Sequence, residues 1–281
     1  MAGHEEISYL IRLLDDESEI VRSAVIQELS AYGPDLERLL REACPCPDKK
    51  QRRLLDVVIL DIKAARLQSD WPRLRAATDE SAKLEAAFSF IAEFQLGRPS
   101  KDEIAVRLDE LSSEYRCGCS HVDVIELAAF LFRSKLLSGN RDDYYNPLNS
   151  NVLCVLEQGA GIPITLSAIY MLTGARLGLE IVGCNVPGHF MALVEHQGER
   201  FLVDCFNGGR FMREEQIMVS VGDFSKIRLD LNDMRVGAEQ MIERILRNLA
   251  NAYERAGCQF EKQLMTDLLT GDGSSEEVPD S

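Results

Sequence analysis

Long apolar runs are missing from this sequence. No window approaches the eighteen or so uninterrupted apolar residues that a membrane-spanning helix needs. The first residues, Met1 to Glu6, lack the basic and apolar regions of a secretory signal peptide. Both absences predict a protein that is neither inserted in a membrane nor exported, and we expect it in the cytoplasm. The apolar fraction of 46% is ordinary for a chain that buries a core.

Positive charge is also scarce. The chain carries 31 Lys and Arg against 46 Asp and Glu, a formal net charge of -15. A nucleic-acid backbone would be repelled by this mean field. The one short basic run, Lys49 to Arg53, is the only candidate for a nucleic-acid-binding patch. Charges at helical spacing, however, usually mark a solvated helix face. We therefore expect no nucleic-acid partner.

Two closely spaced cysteine pairs are candidates for a zinc site. Cys44 with Cys46, and Cys117 with Cys119 and His121, could together supply four or five soft ligands. The spacing argues against this, because paired zinc cysteines usually have two or more residues between them. Without an export signal, the eight cysteines are better interpreted as free thiols. We expect no metal and no cofactor.

Residues 1–78 are predicted to form a helical arm. Apolar residues recur every three or four positions from Ile7 to Leu14 and from Ile20 to Leu29, separated by short polar side chains that can cap a new helix. This pair is similar to one unit of a HEAT repeat, and further helix is predicted from about Pro47 to Arg66. Because a single unit cannot bury its own face, it should pack on the helices after it in the chain. An ordinary helical hairpin is the alternative to a partner-binding arm.

Residues 80–138 are predicted to be helical as well, beginning with a helix from Glu85 to Leu96. The third helix of this region is expected to run through Leu136. Two further helix starts are predicted at capping boxes, in which side chains satisfy free amides of the first turn: Ser100 with Glu103, and Ser120 with Asp123.

Residues 139–236 have a different pattern. An irregular polar and aromatic loop, 140–150, and a short apolar segment, 152–156, precede a long helix that begins at Gly161-Ile-Pro163 and ends near Gly178. Three strand-like runs follow, with a hairpin turn at 197–199: Glu180 to Val186, His189 to Glu195, and Arg200 to Phe206.

The C-terminal part is predicted to contain a helix at 238–256 and a terminal helix at 257–270. Residues 271–281 form an acidic, serine-rich tail that lacks the apolar surface to order itself. The predicted fold class is therefore α+β: a helical N-terminal part, then a core with a long helix packed on a small antiparallel sheet, then C-terminal helices.

Beyond this order of elements, the sequence resembles the SirB-type transglutaminase-like family, over about residues 80–255. Six blocks in the family's order carry the resemblance: Gly139-Asn-Arg-Asp-Asp-Tyr-Tyr-Asn-Pro147, Asn149-Ser150, Gly161-Ile-Pro-Ile-Thr165, Arg176-Leu-Gly-Leu179, Pro187-Gly-His-Phe190 and Asp204-Cys-Phe-Asn-Gly-Gly209. In the wider superfamily a cysteine at the start of the long helix is the nucleophile, a histidine on the next strand activates it, and an aspartate orients the histidine.

The resemblance implies that His189 and Asp204 occupy the histidine and aspartate positions. Counting back from Arg176, the cysteine position falls on Pro163, which has no nucleophile. It also implies a cleft around the histidine, for which we select these residues: Tyr144, Tyr145, Asn149, Thr165, Gly188, Asn207 and Arg210.

Three functions are left as alternatives. The first is a non-catalytic transglutaminase-like domain that binds a protein, peptide or small ligand in the inherited cleft. The second is a hydrolase or acyltransferase whose nucleophile is water activated by His189, a hydroxyl of Thr165 or Ser167, or a relocated cysteine, for which Cys154, Cys184 and Cys205 are the candidates. The third is a helical adaptor with the core as its scaffold. We favour the first, in which His189 and Asp204 could also be a merely structural pair, and the sequence leaves the oligomeric state open.

Overall fold

A computed structural model describes residues 2–14, 16–32, 36–43, 49–213 and 231–271. The chain divides into two compact units, one formed by residues 1–70 and 93–99 and the other by residues 71–92 and 100–281. The predicted tail after residue 271 lies outside the described residues, and so does the cysteine pair at 44 and 46.

The N-terminal unit contains the predicted helical pair. Its helices are α1 (Ala2–Leu13), α2 (Glu19–Ala31), α3 (Leu36–Ala43) and α4 (Lys49–Asp70). Helix α1 packs on α2 and α3, and the apolar faces of all four helices meet in one core that includes Ile7, Leu29, Leu36 and Val58. The break between α1 and α2 is confirmed, and Asp16 there accepts a hydrogen bond from the Ser18 amide at 2.8 Å. Helix α3 was not predicted, and the HEAT-like assignment stays a prediction.

The second unit opens with a helical region. After a 3-10 turn at Trp71–Ala76 comes α5 (Glu80–Leu96), whose last residues, from Glu93, are counted with the first unit. Helices α6 (Lys101–Gly118) and α7 (Val124–Ala129) follow, and α7 continues into a π-helical turn at Phe130–Ser134. The expected extension of the third helix through Leu136 is wrong, because Leu136 has a φ of 60° and stands outside the helix.

Both predicted capping boxes are wrong, although the helices start near the expected places. Ser100 precedes α6 but makes no side-chain cap, since its φ of -127° and ψ of -9° are not the extended conformation that turns a cap toward the first amides. At α7 the cap is Asp123, whose extended backbone lets its carboxylate accept from the amides of Ile125 and Glu126. Ser120 contacts the His121 ring instead.

A five-stranded antiparallel sheet forms the centre of the second unit, and the α+β fold class is confirmed. Its order is β6-β5-β4-β3-β7, with these bounds: β3 Ile181–Val186, β4 His189–His196, β5 Glu199–Asp204, β6 Arg210–Arg213 and β7 Arg235–Val236. The three predicted strands are its middle. The two outer strands escaped prediction because they are only four and two residues long.

The long helix is α9 (Pro163–Arg176), and it packs on β3 and β4. Pro163 occupies the first helical position, where its missing N–H costs no hydrogen bond. Gly178, with a φ of 76°, supplies the predicted left-handed stop. The β4–β5 hairpin turns through Gln197 and Gly198, both at positive φ, as expected.

Smaller elements connect the helical region to the core. A parallel ladder of two residues pairs β1 (Ser138–Gly139) with β2 (Ala160–Gly161). Between them lie a 3-10 turn at Pro147–Ser150 and helix α8 (Val152–Gln158), which Asn151 caps. The apolar segment at 152–156 is thus helical.

Two helices end the described chain: α10 (Ala238–Arg255) and α11 (Gln259–Thr270), which pack on each other. Helix α10 also contacts α9 and the turn at 147–150. Among the described residues, no helix has the length and apolarity needed to cross a membrane.

Candidate functional site

His189 and Asp204 lie side by side at the ends of two neighbouring inner strands of the sheet. His189 is the first residue of β4 and Asp204 the last of β5, and antiparallel pairing brings these strand ends together. The imidazole Nε2 is 2.9 Å from Asp204 Oδ1, with 24% of the histidine side chain exposed against 8% of the aspartate. The carboxylate is therefore behind the imidazole, and the ring is accessible.

The Asp204 carboxylate is held in its charged form. Burial alone would raise its pKa, but hydrogen bonds from His189 and Asn207 outweigh burial and leave the pKa below its usual value. The Asn207 side-chain amide donates to Oδ2 at 2.6 Å and its backbone amide to Oδ1 at 3.1 Å. Because an ionised carboxylate only accepts, Nε2 of His189 donates the hydrogen of this bond, and Nδ1 is the ring nitrogen that does not contact Asp204.

Aromatic rings continue the site from His189. The Phe206 ring stands edge-on to the imidazole, with centroids 6.3 Å apart. Tyr144 contacts Phe206 at 5.9 Å and Tyr145 at 5.2 Å, also edge to face. Both tyrosines are exposed, so they present aromatic surface to solvent beside the histidine.

Gly139 makes room for this arrangement. A Cβ at Gly139 would lie 2.4 Å from carbons of the Phe206 ring, a distance that no packing tolerates. The Gly139 amide donates to the Phe206 carbonyl at 3.0 Å. The glycine therefore lets the chain of β1 pass directly against the ring.

Asn149 shapes the loop that carries the tyrosines. Its buried side-chain amide donates to the carbonyls of Asp143 at 2.7 Å and Tyr144 at 3.0 Å, while its oxygen accepts from Asn140 at 3.0 Å. All of its polar groups thus have partners in the loop. A direct contact of Asn149 with a ligand stays a prediction.

Three arginines surround the aromatic rings. The Arg141 guanidinium lies 5.3 Å from the Phe206 centroid and hydrogen-bonds the Asn207 side chain. On α10, Arg244 lies 5.4 Å from the Phe190 centroid, and Arg255 lies 3.7 Å from that of Tyr145. Sequence reasoning did not select these residues or Phe206. Arg244 and Arg255 are eleven residues apart, a spacing that puts both on one helix face and could have indicated them.

Arg244 also interacts electrostatically with Tyr144. Burial lowers the pKa of its guanidinium, and burial raises the pKa of the Tyr144 hydroxyl, with Tyr145 adding to that rise and Arg244 opposing it. Arg244 hydrogen-bonds the Asn185 side chain. It therefore belongs to the same cluster as the tyrosines.

The remaining predicted residues lie around this site with different surroundings. Gly188, at a φ of 77°, forms the turn between β3 and β4 immediately before His189. Arg210 is exposed and pairs in register with Asp204. Pro163 and Thr165 are buried in the first turns of α9, and the Thr165 hydroxyl has no hydrogen-bond partner in the part of the chain that the structure describes.

The candidate cysteines are poor nucleophiles. Cys154, Cys184 and Cys205 are all buried. Burial raises the pKa of the Cys184 thiol to about 11 and that of Cys205 to about 12, although the Ser167 hydroxyl partly opposes the shift at Cys205. Cys205 bonds the Val203 carbonyl rather than His189. Only the thiolate is an effective nucleophile, so neither Cys184 nor Cys205 is prepared for attack.

Metal-binding side chains do not cluster in the described part of the chain. Across these ranges, no group of three or more His, Cys, Asp or Glu side chains is arranged to hold a metal ion. Cys117 is exposed, Cys119 is half-buried, and the His121 ring lies 3.7 Å from the Glu126 carboxylate.

Comparisons with known proteins agree with the fold. The family model described as the transglutaminase-like superfamily matches residues 101–247, just over half of the chain. That match contains the long helix and the sheet, including His189, Asp204 and Arg244. The predicted transglutaminase-like core is therefore confirmed.

Individual relatives match shorter segments. A UPF0162 protein of Xylella fastidiosa (strain 9a5c) is 34% identical over 130 residues, 44% of this chain and 46% of the relative. F-box only protein 21 of Homo sapiens is 28% identical over 148 residues, 50% of this chain and 23% of the relative. A UPF0162 protein of Vibrio cholerae is 32% identical over 72 residues, 25% and 27% of the two chains. The chain thus spans less than half the length of these relatives, and no solved structure matches it.

Proposed function

Because the chain belongs to the transglutaminase-like superfamily, we propose that it is a non-catalytic member that binds a protein, peptide or small ligand beside His189 and Asp204. The observation that carries this proposal is Pro163. By the SirB-type resemblance Pro163 stands at the nucleophile position, and it is the buried first residue of α9. A proline residue has no nucleophilic side-chain atom and no backbone N–H, so it cannot attack a carbonyl.

The condition of the cysteines supports the same conclusion. A nucleophile moved elsewhere would need exposure and a lowered pKa. Cys184 and Cys205 have raised pKa values and are fully buried. The retained His189–Asp204 pair then serves recognition: its imidazole offers a fixed polar group among exposed aromatic rings, a surface typical of binding sites.

The site residues divide between contact and support. A ligand would contact the surfaces of His189, Tyr144 and Tyr145. Arg210 adds an exposed charge beside the same strand end, where it pairs in register with Asp204. Asn207 holds Asp204, and Gly188 turns the chain into β4. The SirB-type assignment within the superfamily belongs to the same proposal, as do partner binding by the HEAT-like arm and a cytoplasmic location.

Selection of binders tests the proposal. A random peptide library displayed on phage is selected against the full chain, and the recovered peptides are measured by fluorescence anisotropy. We expect His189→Ala to weaken their binding by about tenfold, on the order of one good polar contact. His196→Ala, which changes the histidine at the other end of β4, is the matched control and should bind like the wild type. Equal binding by all three proteins would contradict a role for the cleft.

A hydrolase remains as the second candidate, favoured by one observation. Nδ1 of His189 has no hydrogen-bond partner among the described residues, while Nε2 is anchored to Asp204. An oriented imidazole with a free basic atom can activate water. Fluorogenic peptides, esters and glutamine amides would be hydrolysed by the wild type and not by His189→Ala if this were so. No hydrolysis at high protein concentration would exclude it.

A further inference from the structure

The arginines around the aromatic rings contact neutral side chains, whereas several other arginines of the core pair with carboxylates. Arg176 pairs with Glu85 and Asp109, Arg235 with Glu180, and the exposed Arg213 with Glu199. In contrast, Arg141 and Arg244 hydrogen-bond the neutral side chains of Asn207 and Asn185. Arg255 contacts Asn251. In the part of the chain that the structure describes, these three neighbouring arginines form no ion pair with a carboxylate, although the chain has fifteen more acidic than basic residues.

Most of the neighbouring carboxylates are hydrogen-bonded or ion-paired to other side chains. Asp143 accepts from the Asn146 side chain, Glu254 pairs with Lys262, and Glu243 pairs with Arg247. Asp204 is buried behind His189. Asp142 is exposed beside Arg141 and forms no ion pair with it among the described residues. Three guanidinium groups therefore keep hydrogen-bond donors available for a ligand.

The aromatic rings hold these donors in place. Each guanidinium lies over a different ring: Arg141 over Phe206, Arg244 over Phe190 and Arg255 over Tyr145. A guanidinium stacked on a ring keeps its N–H edge free to meet a carboxylate or phosphate in its own plane. Stacking thus reduces the entropy that the side chain would lose on binding an anion.

The spacing of the charges identifies the shape of the ligand. Eleven residues of helix separate Arg244 from Arg255, so their Cα atoms are roughly 16 Å apart. Their guanidinium groups lie over different rings, so they do not converge on one point as a phosphate would require. Single charges distributed along an extended chain fit better, since a strand advances roughly 3.3 Å per residue. The exposed Tyr144 and Tyr145 between them offer surface for apolar parts of such a chain.

We propose that the surface formed by Arg141, Tyr144, Tyr145, Arg244 and Arg255 binds an acidic peptide segment, whose carboxylates meet the arginines beside His189. This inference rests on the proposed function, because it gives the ligand class of the same site. It also explains why a strongly acidic protein would keep a local basic surface. The overall negative charge repels acidic molecules at long range, the proposed peptide included, so the arginines must supply the attraction at contact.

The test uses a defined probe. A fluorescein-labelled twelve-residue peptide of alternating Glu and Gly, with Tyr at its centre, is compared with the same peptide in which every Glu is Gln. We expect the full chain to bind the Glu peptide at least about tenfold more tightly, with affinity falling as salt rises, because charge-assisted hydrogen bonds carry the binding. Inorganic phosphate and pyrophosphate at millimolar concentration should not displace it.

Matched variants assign the binding to this surface. Arg244→Gln and Arg255→Gln should each lower the affinity for the Glu peptide about fivefold or more. Arg247→Gln is the control, because it removes the same charge from the same helix but from an arginine paired with Glu243. Circular dichroism melting of each variant checks that it is folded, and Arg244→Lys, which keeps the charge without the planar fork, gives an intermediate affinity.

The outcomes separate this inference from the proposed function. Equal binding of the Glu and Gln peptides, equal effects of Arg244→Gln and Arg247→Gln, or displacement by phosphate would each overturn the acidic-peptide inference. His189-dependent binding of library peptides would still stand in that case. If the library yields no binder and the Glu peptide does not bind either, the proposed function itself fails.

Discussion

The imidazole of His189 donates a hydrogen bond through Nε2 to the Asp204 carboxylate. Two further hydrogen bonds from Asn207 help to keep this carboxylate ionised. The histidine is thereby fixed in one tautomer, with Nδ1 directed away from Asp204. By the proposed SirB-type alignment, this pair lies in a chain whose nucleophile position would be Pro163.

Asp204→Asn should remove part of the acid sensitivity of folding. The folded-state pKa of Asp204 lies below its unfolded value of about 4, so the ionised carboxylate stabilises the fold at higher pH, and this contribution is lost as the pH falls through the folded-state pKa. Urea unfolding of both proteins over about pH 2 to 6 measures it. The difference in unfolding free energy between the wild type and Asp204→Asn should be largest above about pH 4 and should decrease as the pH falls below it. A constant difference would contradict the prediction, and Asp142→Asn, at an exposed carboxylate, serves as control.

Gly139→Ala should destabilise the protein by about 1–3 kcal/mol, the usual cost of forcing an added methyl group into a packed site. The added Cβ would lie 2.4 Å from the Phe206 ring, so the ring or β1 must move. Gly118→Ala is the control, since no atom lies within 4 Å of its Cβ position at the end of α6. Chemical denaturation of the two variants compares them, and equal stability would show that the ring moves without cost.

Thiol labelling should divide the cysteines by burial. At about pH 8 only roughly a thousandth of the Cys184 thiol is ionised, given its pKa of about 11, and less of Cys205. With iodoacetamide and mass spectrometry, the exposed Cys117 should be alkylated in the folded protein, and Cys184 and Cys205 only after unfolding in urea. The pattern should be the same in His189→Ala. Rapid, His189-dependent labelling of Cys184 or Cys205 would instead revive a cysteine nucleophile.

Arg176→Gln should cost about 1–3 kcal/mol of unfolding free energy, the range for a hydrogen-bonded and partly buried charge. Its guanidinium, 20% exposed, contacts Glu85 on α5 at 2.9 Å and Asp109 on α6 at 2.6 Å, so it ties α9 to both helices. Arg107→Gln, whose pair with Glu110 is exposed, should change stability by less than about 0.5 kcal/mol. Thermal and urea unfolding of both variants would contradict the prediction if the losses were equal.

Regular elements were predictable where one local signal dominates. Pro163 and Gly178 delimit α9 because their backbone preferences act within a turn of the chain. The β4–β5 hairpin was predictable for the same reason, since Gln197-Gly198 separates two apolar runs. Ser100 misled because a residue type does not specify the backbone angles that make it a cap.

The site was predictable only in part. His189 and Asp204 followed from the order of helix and strands and from the family resemblance, and the 2.9 Å contact joins them. The roles of Phe206 and Arg255 were not foreseen. Phe206 joins the site by packing on Gly139, and Arg255 by stacking on Tyr145, more than a hundred residues away in the chain.

The sequence by itself determined the α+β class and the limits of the long helix, from Pro163 to the stop at Gly178, because both depend on residue type and local backbone preference. Tertiary structure alone decided which side chains surround His189 and which arginines stack on the aromatic rings. Burial, ring stacking and ion pairing depend on distances between distant segments, and those distances exist only once α10, the 140–150 loop and the sheet have packed together.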